Sequence, residues 1–138
     1  MARDKIHDAV KQSLINDGWT ILEDPFRIKF EGKIVAADIR AERLLHLTRD
    51  NERIVVEIKS FIGRSFIKDL QAALGQYQMY AFFLEATEQT DEIYLAVSAK
   101  IYEKEFKGRA VQKLLNHFQV HLLVVDISKK EITEWITQ

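Results

Sequence analysis

The stretch Arg53–Ile54–Val55–Val56–Glu57–Ile58–Lys59 decides the fold of this chain, because it has the pattern of a buried β-strand that ends in two opposite charges. Successive side chains of a strand point to opposite faces, so Val55, Glu57 and Lys59 are expected to share one face. Isolated charges are costly to bury. Glu57 and Lys59 must therefore either neutralise each other or bind something at the end of this strand.

The composition is that of a folded globular domain. Of the 138 residues, 47% are hydrophobic and 30% are charged, and a single proline and five glycines leave no room for a long linker. We therefore expect one α/β domain over residues 1–138. Cysteine is absent, which excludes disulfides and thiolate metal sites and fits a cytoplasmic protein. No apolar run reaches membrane-spanning length, and a net charge of −1 means that any binding of nucleic acid must use a local patch.

Outward from the deciding stretch, hydrophobic periodicity predicts helices and strands in the order helix, about three strands, helix, strand, helix, strand. Helices are predicted at about 3–17, 66–84 and 100–117, strands at 26–30, 34–40, 53–59, 93–97 and 120–127, and a final edge strand at 131–137. In the 34–40 strand, Val35, Ala37 and Ile39 should take one face, and Asp38 and Arg40 the other. Segment 41–47 fits either a strand or a helical turn. This order predicts a mixed central sheet flanked by helices.

Asp38 is the second acid of a candidate metal site. Facing residues on adjacent strands lie about 4.5–5.5 Å apart at Cβ, so Asp38 and Glu57 could share one cation. With the backbone carbonyl of Ile58 they form a set of hard oxygen ligands that suits Mg²⁺ or Mn²⁺. Lys59 could then orient an attacking water or stabilise charge that develops on a phosphoryl group. This combination of residues is typical of metal-dependent nucleases.

The acid–spacer–lysine triplet is weak by itself, since it occurs at residues 31–33, 57–59 and 105–107. The first copy is predicted to form a hairpin turn and the third lies in a charged helical stretch, so only Glu57 and Lys59 end a buried strand. The structural alternative is a Glu57–Lys59 ion pair, with Asp38 bound to Arg40 or Arg53. Arg40 is also a rival counter-charge, because it shares the predicted strand face of Asp38 and could replace a metal.

The predicted long helix adds Gln76 to the candidate site. Gln76 and Tyr80 are four residues apart and share a helix face, from which Gln76 could reach toward Lys59. Gly75 lies in mid-helix, where glycine is unfavourable, and is expected to let the helix pack closely on the sheet.

Charged and polar residues elsewhere in the helices could support the site. Ser65 can cap the long helix, and Arg64 and Lys68, which flank its start, could hold a nucleic-acid backbone. In the first helix, His7 and Asp8 are the polar candidates, although a lone histidine is more often structural.

Several short motifs spread over most of the chain match one known pattern. They are His7–Asp8, Asp17–Gly18–Trp19–Thr20, Asp24–Pro25, Val55–Val56–Glu57–Ile58–Lys59–Ser60–Phe61, Asp69–Leu70, Ala73–Leu74–Gly75–Gln76–Tyr77 and Tyr94–Leu95–Ala96–Val97. In these motifs the chain resembles the XisH family, small and mostly cyanobacterial proteins named as excision controlling factors of a developmentally excised DNA element.

The resemblance implies a restriction-endonuclease-like fold with Asp38, Glu57 and Lys59 as the catalytic residues and Gln76 in support. It also implies Mg²⁺ or Mn²⁺ as the cofactor of an active enzyme, and DNA as the partner. Two functions stay open: an endonuclease-like enzyme, or a non-catalytic accessory protein that binds and controls a separate recombinase. A third, purely structural reading assigns the charges to packing. The final edge strand could also pair two copies into a homo-oligomer.

Overall fold

The computed structural model describes residues 2–45 and 50–138. The helices are α1 (Ala2–Asn16), α2 (Phe66–Ala86), α3 (Ala99–Ile101) and α4 (Arg109–His117), and α3 continues into a π-helical turn over Tyr102–Phe106. The strands are β1 (Thr20–Glu23), β2 (Phe26–Phe30), β3 (Lys33–Ala37), β4 (Ile39–Leu44), β5 (Asn51–Ile58), β6 (Glu92–Ser98), β7 (His121–Asp126) and β8 (Glu131–Ile136). No helix of these described ranges is long and apolar enough to cross a bilayer.

Six strands form one mixed sheet in the order β1-β4-β5-β6-β7-β8. The three central strands β5, β6 and β7 are parallel, whereas β1, β4 and β8 run antiparallel to their neighbours. Because parallel neighbours need crossover connections, α2 links β5 to β6, and α3 and α4 link β6 to β7. The predicted mixed sheet flanked by helices is confirmed, with β8 as its predicted edge, and this topology is compatible with a restriction-endonuclease-like fold.

The sheet separates two hydrophobic cores, and β5 contributes to both. Ile54 and Val56 pack in the core beneath α1, whereas Val55 packs in the core beneath α2 and α4. All three side chains are fully buried. A central strand covered on both faces has a continuous apolar run, which is why residues 54–56 are all apolar. Glu57 is exceptional, because it is a charged residue type at the next position of β5 whose side chain points to the α2 side.

Strands β2 and β3 form a hairpin that packs against α2. Its turn has positive φ at Glu31 (49°) and Gly32 (79°), as a two-residue type I′ connection requires. The Phe30 ring contacts the rings of Phe82 and Phe83 on α2, with centroids 6.1 and 6.3 Å apart. The predicted hairpin turn at Glu31–Lys33 is therefore confirmed.

The prediction of one continuous strand over 34–40 is wrong, because the chain bends at Asp38. Ala37 packs in the core beneath α2 and Ile39 in the core beneath α1, so these two residues occupy opposite sides rather than one face. The bend takes the chain from the hairpin into the six-stranded sheet. Asp38 therefore belongs to neither hydrophobic core and lies between β3 and β4, next to the end of β5.

The predicted helix over 100–117 is interrupted. The π-helical turn buries Tyr102 and Phe106, and the backbone is then extended at Gly108 before α4 begins at Arg109. The ambiguous segment 41–47 is strand up to Leu44, and its last two residues lie outside the described ranges.

Candidate functional site

A pocket of about 320 Å³ opens where β5 ends, between α1 and α2. It brings together most of the residues that the sequence offers as a site. Its lining consists of Ile6, His7, Asp38, Glu57, Ile58, Lys59, Ser60, Ile62 and Gln76. The three parts of the chain that supply the polar groups are the start of the molecule, the bend before β4 and the strand–helix unit β5–α2.

Asp38 is fixed in this pocket by the backbone of β5. The Ile58 N–H donates to Asp38 Oδ2 at 2.7 Å. In the antiparallel register, Ile39 is opposite Val56, so Asp38 lies one step further on, level with Glu57. A carboxylate that accepts a backbone N–H is held in one orientation, and here that orientation places it beside the second acid.

Glu57 is buried, with only 6% of its surface exposed. Burial, followed by the nearby charge of Asp38, raises the pKa of Glu57 to about 8. Among the described residues, Glu57 Oε1 has no hydrogen-bond partner. The hydroxyl of Tyr80, a residue whose pKa is raised by burial and by the charge of Glu57, donates to the Ala36 carbonyl at 2.9 Å. The site therefore holds a buried acceptor that is not satisfied by the protein itself.

Lys59 and Gln76 complete the polar lining of the pocket. Lys59 follows directly after β5, and its backbone N–H donates to the Ala96 carbonyl at 3.1 Å. Its ammonium forms no ion pair with any residue of the described ranges. The Glu57–Lys59 ion pair of the structural alternative is therefore absent from these ranges. The Gln76 Oε1 is buried and also lacks a hydrogen-bond partner within the described part of the chain. The structure thus places a cation and an amide beside the two acids.

His7 reaches the pocket from α1 and is oriented by Asp24, a residue that the sequence analysis did not assign to the site. His7 Nε2 lies 3.0 Å from both carboxylate oxygens of Asp24, and Lys11 donates to the same carboxylate at 2.9 Å. The other ring nitrogen, Nδ1, lies 3.9 Å from Asp38 Oδ1.

Three candidates from the sequence lie outside the pocket. Asp8 is exposed on α1, and Arg64 and Lys68 are exposed at the start of α2. Ser65 caps that helix as expected, since its side chain accepts from the Lys68 N–H at 3.2 Å.

The expectation that Arg40 could neutralise the acids is wrong. Its guanidinium donates two hydrogen bonds to Asp91, at 2.8 and 3.0 Å, and lies over the ring of Phe26. Arg53 is likewise paired with Glu42 rather than with Asp38. The bend at Asp38 explains this outcome, because it removes the shared strand face on which the expectation rested.

The donor set fits a hard divalent cation. Asp38, Glu57 and the Ile58 carbonyl could supply three oxygen ligands, and the unsatisfied Glu57 Oε1 is an acceptor that a cation would satisfy. The N–H and C=O of one strand residue point to the same strand edge, so the Ile58 carbonyl lies on the side of Asp38. Over residues 2–45 and 50–138, no group of three His, Cys, Asp or Glu side chains could hold a metal. Water and phosphate oxygens would therefore have to complete the coordination.

Fold and site together define a small mixed α/β protein with two acids, a lysine and a glutamine gathered at the end of a central strand. This chain belongs to the XisH family, whose model, described as XisH protein, matches residues 1–133.

Two solved structures are similar to this chain over nearly its whole length. An XisH family protein from Nostoc punctiforme PCC 73102 is 33% identical, with a TM-score of 0.88, and the match covers 97% of this chain and 100% of that one. An fdxN element excision controlling factor protein from Anabaena variabilis is 34% identical, with a TM-score of 0.87, and covers 97% and 99% of the two chains. No match was found among proteins of curated function.

Proposed function

We propose that this protein takes part in the site-specific excision of a DNA element, as a Mg²⁺-dependent endonuclease-like protein that acts on DNA phosphodiesters. The observation that carries the proposal is the pocket in which Asp38, Glu57 and Lys59 meet, with an unsatisfied carboxylate oxygen inside it. The similarity to an fdxN element excision controlling factor protein supports excision as the process.

Each polar group of the pocket has a role that suits phosphodiester hydrolysis. Asp38, Glu57 and the Ile58 carbonyl would hold the cation, which when bound would act as a Lewis acid on the phosphate. The Lys59 ammonium, which forms no ion pair with the described residues, would attract the phosphate and stabilise its developing negative charge. Gln76 would use its free amide oxygen to orient the attacking water. Arg64 and Lys68 would contact the DNA backbone outside the pocket.

The second candidate function is a non-catalytic accessory protein that binds DNA or a recombinase and controls excision. Two observations favour it. No group of three metal-ligating side chains occurs among the described residues, and the high pKa of Glu57 keeps that carboxyl largely protonated at neutral pH when no cation is bound. In this case the same pocket would be a binding site without chemistry.

The test is cleavage of supercoiled plasmid and of branched DNA by the native protein, in Mg²⁺, in Mn²⁺ and in chelator. If the proposal holds, cleavage requires the metal and is lost in Glu57→Ala. Lys59→Ala should lower the rate by roughly 10²–10³-fold, the usual effect of removing one group that stabilises a transition state.

The matched control is Glu105→Ala, since Glu105 begins another acid–spacer–lysine triplet, at the end of the π-helical turn and outside the pocket. This variant should cleave as the native protein does. If the native protein binds these DNAs in a mobility-shift assay but does not cleave them with either metal, the endonuclease proposal is wrong and the accessory function is favoured.

A further inference from the structure

The outward face of α2 carries an apolar stripe that nothing in the described chain covers. Ala72, Gly75, Met79 and Phe82 are all exposed, and their spacing of three, four and three residues places them on one side of the helix. Met79 and Phe82 expose 53% and 58% of their surface. Contiguous apolar surface flanked by polar residues is typical of an interaction site.

Gly75 shows that this face is not used for packing within the chain. The sequence predicted that Gly75 lets α2 approach the sheet, but it lies on the exposed side, and a Cβ added there would meet nothing within 4 Å. That prediction is wrong. Glycine is unfavourable in a helix, so its presence in an open position is explained better by close approach of another molecule.

The stripe is complementary to itself when it is reversed. Consider a second copy of α2 that runs antiparallel to the first, with the two Tyr77 residues at the same height along the helix axes. Each Gly75 then faces Met79 of the other copy. Each Ala72 then faces Phe82 of the other copy. Every large side chain thus meets a small one, and a twofold interface requires just such reciprocal pairs. Phe82 is already held in place by contact of its ring with Phe30.

The charges at the two ends of the face fit the same alignment. Lys68 and Glu85 are exposed, and neither is engaged in the ion pairs that the described residues form. In an antiparallel pair of helices, the numbers of residues that lie at the same level add up to a constant. This sum is 154 for Gly75 with Met79 and for Ala72 with Phe82, and it is 153 for Lys68 with Glu85. The antiparallel arrangement therefore brings Lys68 of each copy to within one residue of level with Glu85 of the other.

We propose that the outward face of α2 is a homodimer interface, in which a second copy of this chain packs antiparallel across the stripe. The enrichment in phenylalanine and methionine is that of an interface core, and the Lys68–Glu85 pairs form its rim. This interface differs from the β8 edge that the sequence suggested for a homo-oligomer. It does not depend on the proposed function, but it would engage Lys68 and leave Arg64 as the exposed cation for DNA.

The test is the self-association of the purified full chain, measured by sedimentation equilibrium in low salt. Reversing one charge alters two pairs of the twofold dimer, so Lys68→Glu and Glu85→Lys should each raise the dissociation constant by about tenfold. The double variant restores both pairs with opposite orientation and should recover native affinity. Phe82→Gln and Gly75→Gln should also weaken the dimer by about tenfold or more.

Ile15→Gln is the matched control, because Ile15 is an exposed apolar residue on α1, away from this face, and its loss should leave the dissociation constant unchanged. Circular dichroism verifies that each variant is folded. The proposal is overturned if the native protein stays monomeric up to millimolar concentration. It is equally overturned if the α2 variants associate as the native protein does, or if the double charge reversal fails to recover affinity.

Discussion

Glu57 is a buried carboxyl group whose surroundings oppose its ionisation unless a cation is present. Burial removes most of the water that would stabilise its charge, and Asp38 adds a second negative charge beside it. The same features that make Glu57 a suitable metal ligand therefore make its ionised form destabilise the metal-free folded protein.

The destabilisation of the folded protein by Glu57 should depend on pH. The unfolded chain ionises Glu57 near the ordinary pKa of 4.5, whereas the folded protein ionises it near 8. Between these values the folded state keeps a proton that the unfolded state has lost, so its free energy of unfolding falls by up to about 1.4 kcal/mol per pH unit as pH rises. In chelator, we expect Glu57→Gln to be more stable than the native protein at the upper end of this range, with the difference vanishing at the lower end.

Urea unfolding at a series of pH values measures this difference. The control is Glu88→Gln, an exposed glutamate in the loop after α2, which should follow the native curve throughout. If the native and Glu57→Gln curves run parallel, Glu57 ionises normally in the fold and the electrostatic account of the pocket is wrong.

Gly63 is a position where the loop between β5 and α2 leaves no space for a side chain. Its N–H donates to Asp69 Oδ2 at 3.0 Å, and an added Cβ would lie 2.8 Å from the same carboxylate. We expect Gly63→Ala to lower the free energy of unfolding by roughly 1–2 kcal/mol, because Asp69 must give up that hydrogen bond. Gly75→Ala, in open helix, should instead raise it by up to about 1 kcal/mol at concentrations where the protein is monomeric.

Thermal or urea unfolding of the two variants gives the comparison. An equal response at both glycines would mean that Asp69 moves away without cost. If the cost of Gly63→Ala comes from displacing Asp69, the double variant Gly63→Ala with Asp69→Ala should lose no more stability than Asp69→Ala alone.

Tyr77 links α2 to the starts of two sheet strands. Its hydroxyl donates to the Ile93 carbonyl at 2.8 Å and accepts from the His121 N–H at 3.1 Å. Tyr77→Phe leaves both backbone groups without this partner, so we expect the free energy of unfolding to fall by about 1–3 kcal/mol. Chemical denaturation gives the value, and Tyr102→Phe is the control, since Tyr102 is buried but makes no hydrogen bond through its hydroxyl in the described chain. Equal losses in the two variants would argue that packing, not the hydroxyl, matters.

The helices and strands that sequence periodicity predicted well are those with one unbroken pattern. Strand β5 and helix α2 are such elements, and Gln76 is placed beside Lys59 because both patterns run to the pocket without interruption. The bend at Asp38 escaped prediction because residues 34–40 alternate as one strand, whereas the change of core between Ala37 and Ile39 is a tertiary feature.

Contacts between distant parts of the chain were equally out of reach. Asp24 orients His7 across 17 residues, and Arg40 binds Asp91 across 51. No local pattern encodes either pair. The break between the π-helical turn and α4 had a local signal in Gly108, but the apolar spacing on both sides continued as in one helix. Gly75 was assigned to the wrong side of α2 because periodicity gives the faces of a helix without saying what covers them.

For the molecule as a whole, the two acids of the pocket should couple metal binding to stability. A ligand that binds only the folded state raises its melting temperature by mass action. We expect millimolar Mn²⁺ to raise the melting temperature of the native protein, and to raise it less in Asp38→Asn. Differential scanning fluorimetry against a chelator baseline measures both shifts.

Two variants sharpen this measurement. Asp8→Asn removes an exposed carboxylate outside the pocket and should keep the full shift. Because Arg40 is bound to Asp91, Arg40→Gly should respond to Mn²⁺ as the native protein does, apart from a lower baseline. A native melting temperature that is indifferent to Mn²⁺ and Mg²⁺ would argue that the pocket holds no metal.

The two sides of the sheet differ in their fluorophores. The chain contains two tryptophans, Trp19 and Trp135, and both pack in the core beneath α1 with ring centroids 5.6 Å apart. Intrinsic tryptophan fluorescence therefore reports on that core alone, whereas far-ultraviolet dichroism reports on the helices of both sides, α1 as well as the longer α2. If the fluorescence and dichroism melting curves coincide, the two cores unfold as one cooperative unit. If part of the dichroism is lost before the fluorescence changes, the layer bearing Gln76 and Tyr80 loosens while the tryptophan pair stays intact.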